Sequence, residues 1–150
     1  MKLISIVLNT LTLAGLSQGL ATFTNCATGP TVMAVTSFAV IPEPLCINHN
    51  MCATATGTLS DNIWGQAKYV ITGRYLGRLV YTDNHDLCAI LDLSGRPCPI
   101  PKTVTSLTTC TLVKPNAPSN IAMAMTFLAT NGDGNTIYCQ SATLTAVQCP

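Results

Sequence analysis

Several short segments of the 150-residue chain bring together side chains of types that could do chemistry. Cys46-Ile-Asn-His49-Asn-Met-Cys52 sets an imidazole midway between two thiols, donors that zinc accepts, but a tetrahedral site needs further ligands from elsewhere. In an oxidising compartment the expected outcome is a short disulfide-closed loop with His49 exposed. Asp83-Asn-His85-Asp86 offers two carboxylates and an imidazole, yet has no partner cluster in the sequence and reads as a polar loop between strands. Gly15-Leu-Ser-Gln-Gly19 matches the G-x-S-x-G nucleophile elbow, which works only between a strand and a helix of an α/β sheet. Asn131-Gly-Asp-Gly-Asn135 has one carboxylate, too few for calcium, and its Asp-Gly step suits a tight hairpin. With two histidines and six scattered acids, no catalytic residue, metal site or cofactor is expected, and the chain does not read as an enzyme.

The serine of that elbow lies in the tail of a different kind of segment. Met1-Lys2 is a positive start, Leu3 to Leu16 is uncharged and mainly apolar, and Gly19-Leu20-Ala21 offers small residues for a signal peptidase. Residues 1–21 are expected to be a signal peptide and residues 22–150 a single domain. No other uncharged apolar run approaches the roughly 20 residues of a membrane span. All eight cysteines fall after residue 21, an even number in a chain that carries a secretory leader, which implies disulfides and an extracytoplasmic location. Secretion and a vacuolar or lysosomal lumen are both compatible with this. The net charge of +1 is spread without a basic patch, so nucleic acid is not an expected partner. Charged residues make up only 9% and apolar ones 48%, against a usual charged share of about 25%.

The elements that must position these residues read as strands. Thr31 to Ile41, Thr54 to Leu59, Ala67 to Tyr81, Thr103 to Val113, Ile121 to Thr130 and Thr136 to Val147 are rich in Val, Thr, Ile and aromatic residues, with turn residues between them and no helical period. The expected fold is all-β, an immunoglobulin-like antiparallel sandwich of about seven strands stapled by disulfides. In Ile121-Ala-Met-Ala-Met-Thr-Phe127 the large residues Ile121, Met123, Met125 and Phe127 alternate with small ones, which puts them on one face. That face either packs an ordinary core or lines an adaptable cavity, since methionine is flexible and polarisable.

The order of the cysteines resembles the ML (MD-2-related lipid-recognition) domain family from Cys26 to Val147. Thr24-Asn-Cys26-Ala-Thr-Gly29, the Cys46 and Cys52 pair, Asp86-Leu-Cys88, Arg96-Pro-Cys98-Pro-Ile100 and Ile137-Tyr-Cys139 stand where that family has its conserved segments. The resemblance implies bridges Cys26–Cys139, Cys46–Cys52 and Cys88–Cys98. Cys110 and Cys149 depart from the six-cysteine pattern and are expected to pair with each other. It also implies an apolar cavity between the sheets and binding or transfer of a lipid, sterol or phospholipid, without catalysis. The lining residues it implies are Val80, Tyr81, Val113, Ile121, Met123, Met125, Phe127 and Leu144, with Val113-Lys-Pro-Asn-Ala-Pro-Ser119 matching a V-K-x-x-x-P-S segment. Two aromatic positions of sterol-binding members are Ala117 and Gln140 here, which makes a phospholipid a competitor for the cavity. The expected partners are a lipid and, transiently, a membrane surface, with the protein a monomer. The alternative is a secreted interaction protein on the same scaffold.

Overall fold

A computed structural model describes residues 20–150; the expected signal peptide lies outside the described residues except for its last two positions. The elements run β1 (Thr24–Asn25), β2 (Met33–Ile41), β3 (Leu45–Cys46), β4 (Asn50–Leu59), β5 (Lys68–Tyr75), β6 (Arg78–Asp86), α1 (Leu87–Leu93), β7 (Ser106–Leu112), β8 (Ala122–Thr130) and β9 (Thr136–Val147). One sheet has the order β1-β9-β8-β5-β6, with β3 parallel to the end of β9. The other has the order β2-β4-β7. The antiparallel sandwich expected from the strand-like runs is therefore present.

Period-two patterning decides which side chains meet between the sheets. Tyr69 and Ile71 of β5, Met123, Met125, Phe127 and Ala129 of β8, and Tyr138, Gln140, Leu144 and Ala146 of β9 are buried from the large sheet. Met51, Ala53, Ala55 and Leu59 of β4 and Leu107 and Thr109 of β7 face them from the small one. Phe23, Phe38, Phe127 and Tyr138 form a ring cluster at mid-height, with centroids 4.8 to 6.0 Å apart. Gly57 is required where β2 bulges onto β4, because a Cβ there would meet the Ala34 carbonyl oxygen at 2.0 Å.

Three local expectations change. The run from Ala67 to Tyr81 is two strands, folded at Leu76-Gly77, both at positive φ, with Tyr75 opposite Arg78. Asp83 to Asp86 is the end of strand β6 and not a loop; its last residue caps α1, accepting from the Ala89 N–H at 3.1 Å through Oδ1. That helix was not visible as a period because it has only seven residues. The Asn131–Asn135 segment, in contrast, is the hairpin expected, joining β8 to β9 and closed by the Asn131 N–H to Asn135 carbonyl bond of 2.7 Å.

The disulfides require the largest correction. Cys26–Cys139 and Cys88–Cys98 pair as the resemblance implies, but Cys46 bonds Cys149 and Cys52 bonds Cys110. The reason is strand alternation. Met51 points inward, so Cys52 points outward, directly opposite Cys110 on β7 with Cα atoms 4.1 Å apart. Cys46 is the last residue of β3, paired with Val147 of β9, and so stands beside Cys149 with Cα atoms 5.4 Å apart. Among the described residues, each bridge joins elements of one sheet or ties α1 to the chain that follows it. None crosses from sheet to sheet.

Candidate functional site

At one end of the sandwich an apolar chamber is lined by Leu45, Met51, Tyr81, Val113, Ala117, Met123, Met125 and Ala146. Its walls come from both sheets and from the loop after β7. The space between these side chains admits no water molecule, so the chamber is closed by its own lining and holds none of the roughly 300–1,000 Å³ of a pocket that takes a small ligand. The methionines fill it. Their room comes from Gly73, where a Cβ would lie 2.8 Å from the Met125 sulfur and 3.3 Å from the Met123 sulfur. A glycine at an inward strand position thus gives the two most adaptable side chains of the core their freedom.

The rim of the chamber is polar and faces the open edge between β6 and β7. Asp83 is inward-facing on β6 and 3% exposed. Its Oδ1 accepts from Lys114 Nζ at 2.9 Å and its Oδ2 pairs with His85 Nε2 at 2.6 Å. Lys114, one residue beyond the chamber residue Val113, also donates from Nζ to the Thr82 carbonyl at 2.9 Å, and its backbone N–H reaches the Tyr81 hydroxyl at 3.4 Å. The hydrogen bond it donates to Asp83 pushes the Lys114 ammonium above its usual range, and burial raises the Tyr81 hydroxyl. The Lys114 ion pair and the His85 contact therefore converge on one carboxylate, and the loop of one sheet is latched over the edge strand of the other.

Of the eight implied lining residues, Tyr81, Val113, Met123 and Met125 meet in this chamber. Phe127 lies deeper, within the ring cluster. Leu144 is opposite Met123 in register but contributes to a separate cleft with Leu20, Glu43 and Pro44. Ile121 precedes β8 and is only partly buried, and Val80 faces out at 37% exposure. Sequence reasoning did not select Leu45, Met51 or Ala146, and named Ala117 only as a position where sterol-binding members carry an aromatic residue. The alternation of Met51, Ala53 and Ala55 was a usable signal for the second of these. Nor did it single out Tyr69 and Tyr138, fully buried, whose hydroxyls lie close to one another and to that of Thr109.

Beside the chamber the β5–β6 hairpin ends in an exposed apolar tip. Tyr75 is 41%, Leu76 85% and Leu79 51% exposed, with Arg74 and Arg78 at the last paired positions. Leu76 holds φ of 51°, a conformation in which Asn or Gly would be cheaper by about 1 kcal/mol.

A family model described as an ML domain matches residues 21–146. No curated protein matches the sequence. Among solved structures, a Niemann-Pick type C2 protein from the Japanese carpenter ant is similar with a TM-score of 0.64 at 16% identity, covering 83% of this chain and 98% of that one. Chicken MD-1 complexed with lipid IVa gives 0.55 at 16% identity, covering 82% and 86%. The C-terminal domain of wzt also gives 0.55, at 12% identity, covering 87% and 80%. At these identities the likeness is one of fold.

Proposed function

The chain belongs to the ML-domain family, and on that footing we propose that it holds a lipid between its two sheets and carries it between membranes. The observation that carries this reading is the chamber, whose apolar walls come from two sheets that share no covalent bridge. Parting the sheets would let Met123 and Met125 move aside without breaking either hydrogen-bonded ladder. Placing apolar lipid surface there gains about 25 cal/mol per Å², on the order of 10 kcal/mol for several hundred Å² before the costs of association. The solved MD-1 relative was crystallised with lipid IVa, which supports a lipid as the ligand class. A sterol or a phospholipid is the cargo, and no reaction is catalysed.

The hairpin tip supplies the membrane contact. A leucine kept at positive φ and 85% exposed is a poor choice for folding, and a good one for insertion into the interfacial region of a bilayer. Arg74 and Arg78 beside it suit anionic headgroups. Because the tip adjoins the chamber residue Tyr81, docking would bring the chamber to the lipid source. Four disulfides suit secretion or a degradative lumen.

The test is native mass spectrometry of the protein from a eukaryotic secretory host, followed by extraction of what co-purifies. One sterol or phospholipid per chain is the expected result. An empty protein that takes up neither class from vesicles rules out the carrier function.

A further inference from the structure

The residues ahead of β1 are tied into the fold. Ala21 and Phe23 pack against the core, and both carboxylate oxygens of Glu43, in the connection from β2 to β3, accept from the Ala21 backbone nitrogen at 2.8 and 3.0 Å. Leu20 shares a cleft with Glu43, Pro44 and the β9 residues Thr143, Leu144 and Thr145. Those three β9 residues lie between Ser141, which pairs with Thr24 of β1, and Ala146, which pairs with Leu45 of β3. Leu20 and Ala21 thus stand at a gap between two strands on one sheet edge, where uncovered backbone would invite another chain. The carboxylate that holds them is out of balance. One backbone N–H has a single proton for two acceptor oxygens, and among the described residues Glu43 pairs with no Lys, Arg or His side chain. A part-buried carboxylate calls for a cation.

We propose that Glu43 is the seat of the mature N-terminus: the leader is removed after Gly19, and the new α-ammonium of Leu20, next to the Ala21 nitrogen, supplies the charge that the carboxylate lacks. Signal peptidase hydrolyses the Gly19–Leu20 peptide bond, water giving its hydroxyl to the Gly19 carbonyl and a proton to the Leu20 amine, which is an ammonium at neutral pH. Ser17-Gln-Gly19 and Gly19-Leu-Ala21 both present the small-x-small pattern that this enzyme reads. The fold selects the first. A cut after Ala21 would discard the residue that Glu43 holds and reopen the gap on β9, so the expected boundary moves from residue 21 to residue 19. An ammonium donates up to three charge-assisted hydrogen bonds, which suits two carboxylate oxygens better than one amide does. The proposal rests on the leader expected from the sequence and is independent of the lipid-carrier reading.

The full chain is expressed in a eukaryotic secretory host, and the first residue of the secreted protein is read by intact mass and N-terminal sequencing. Leu20 is the expected result. Ala21, which would set the ammonium itself on Glu43, also supports the seat. Thr22 or a later residue, or a retained leader, overturns the proposal. A second measurement tests the ion pair itself, with chains made to begin at the residue found and at Ser17, each with and without Glu43→Gln. The Ser17 form keeps Ala21 and Glu43 but carries its ammonium residues away from them. Glu43→Gln should lower the thermal midpoint by about 3–5 °C more in the natural form than in the Ser17 form. An equal fall in the two forms leaves Glu43 as an acceptor for the Ala21 N–H alone and overturns the seat.

Discussion

Lys114 Nζ stands 2.9 Å from Asp83 Oδ1, joining the loop that leaves the small sheet to the edge strand of the large one. Lys114→Met removes this link and leaves a 5% exposed carboxylate with only His85 beside it. The loss should be about 1–3 kcal/mol, the range for a buried group stripped of its partner, read as a fall in thermal midpoint. If the latch also guards the chamber, transfer of a fluorescent lipid from vesicles should become faster. A slower rate with the same loss of stability would assign Lys114 to folding alone.

Gly73 gives the methionine sulfurs their room, so Gly73→Ala should crowd them. Overpacking of this kind costs about 1–3 kcal/mol. The expected result is a lower occupancy of bound lipid in native mass spectra, with the sheet structure retained. An unchanged occupancy would place the ligand elsewhere.

The tyrosines set a limit at high pH. Tyr69 binds its proton more tightly in the folded chain, where burial pushes it up to about 12, than in the unfolded chain, where it has its ordinary value of 10.0. A raised folded value contributes stability that is complete below about 10 and is lost as pH rises from there to about 12. Tyr138 shifts in the same direction. Thermal midpoints should therefore fall steeply over that window. Tyrosinate absorbance should show the buried pair appearing only with unfolding.

Leu76→Asp/Leu79→Asp should cut binding to anionic vesicles at least several-fold while leaving the thermal midpoint nearly unchanged, because both side chains face solvent. Co-sedimentation with vesicles of phosphatidylserine and phosphatidylcholine measures this. Equal binding would move the membrane contact off the hairpin.

The strands were legible in the sequence because period two is a local property, and Met123, Met125 and Phe127 point inward as the alternation requires. What was not legible is what depends on the partner strand. Cys52 meets Cys110 only because β4 lies beside β7 in one register, which is not evident from the spacing of Cys46 and Cys52. The pairing of Asp83 with Lys114 spans 31 positions and two sheets. Val80 and Tyr81 are neighbours in sequence, yet only one faces the chamber, since adjacent strand residues point to opposite faces.

The placement of the bridges also bears on how the molecule comes apart. Covalent reinforcement lies within the plates and not across the gap, so heat should first loosen the seam and only later the ladders. An expanded state with native strand content, exposed apolar faces and affinity for a hydrophobic dye should precede full unfolding. Melting followed by backbone circular dichroism and by dye fluorescence would then give two midpoints instead of one.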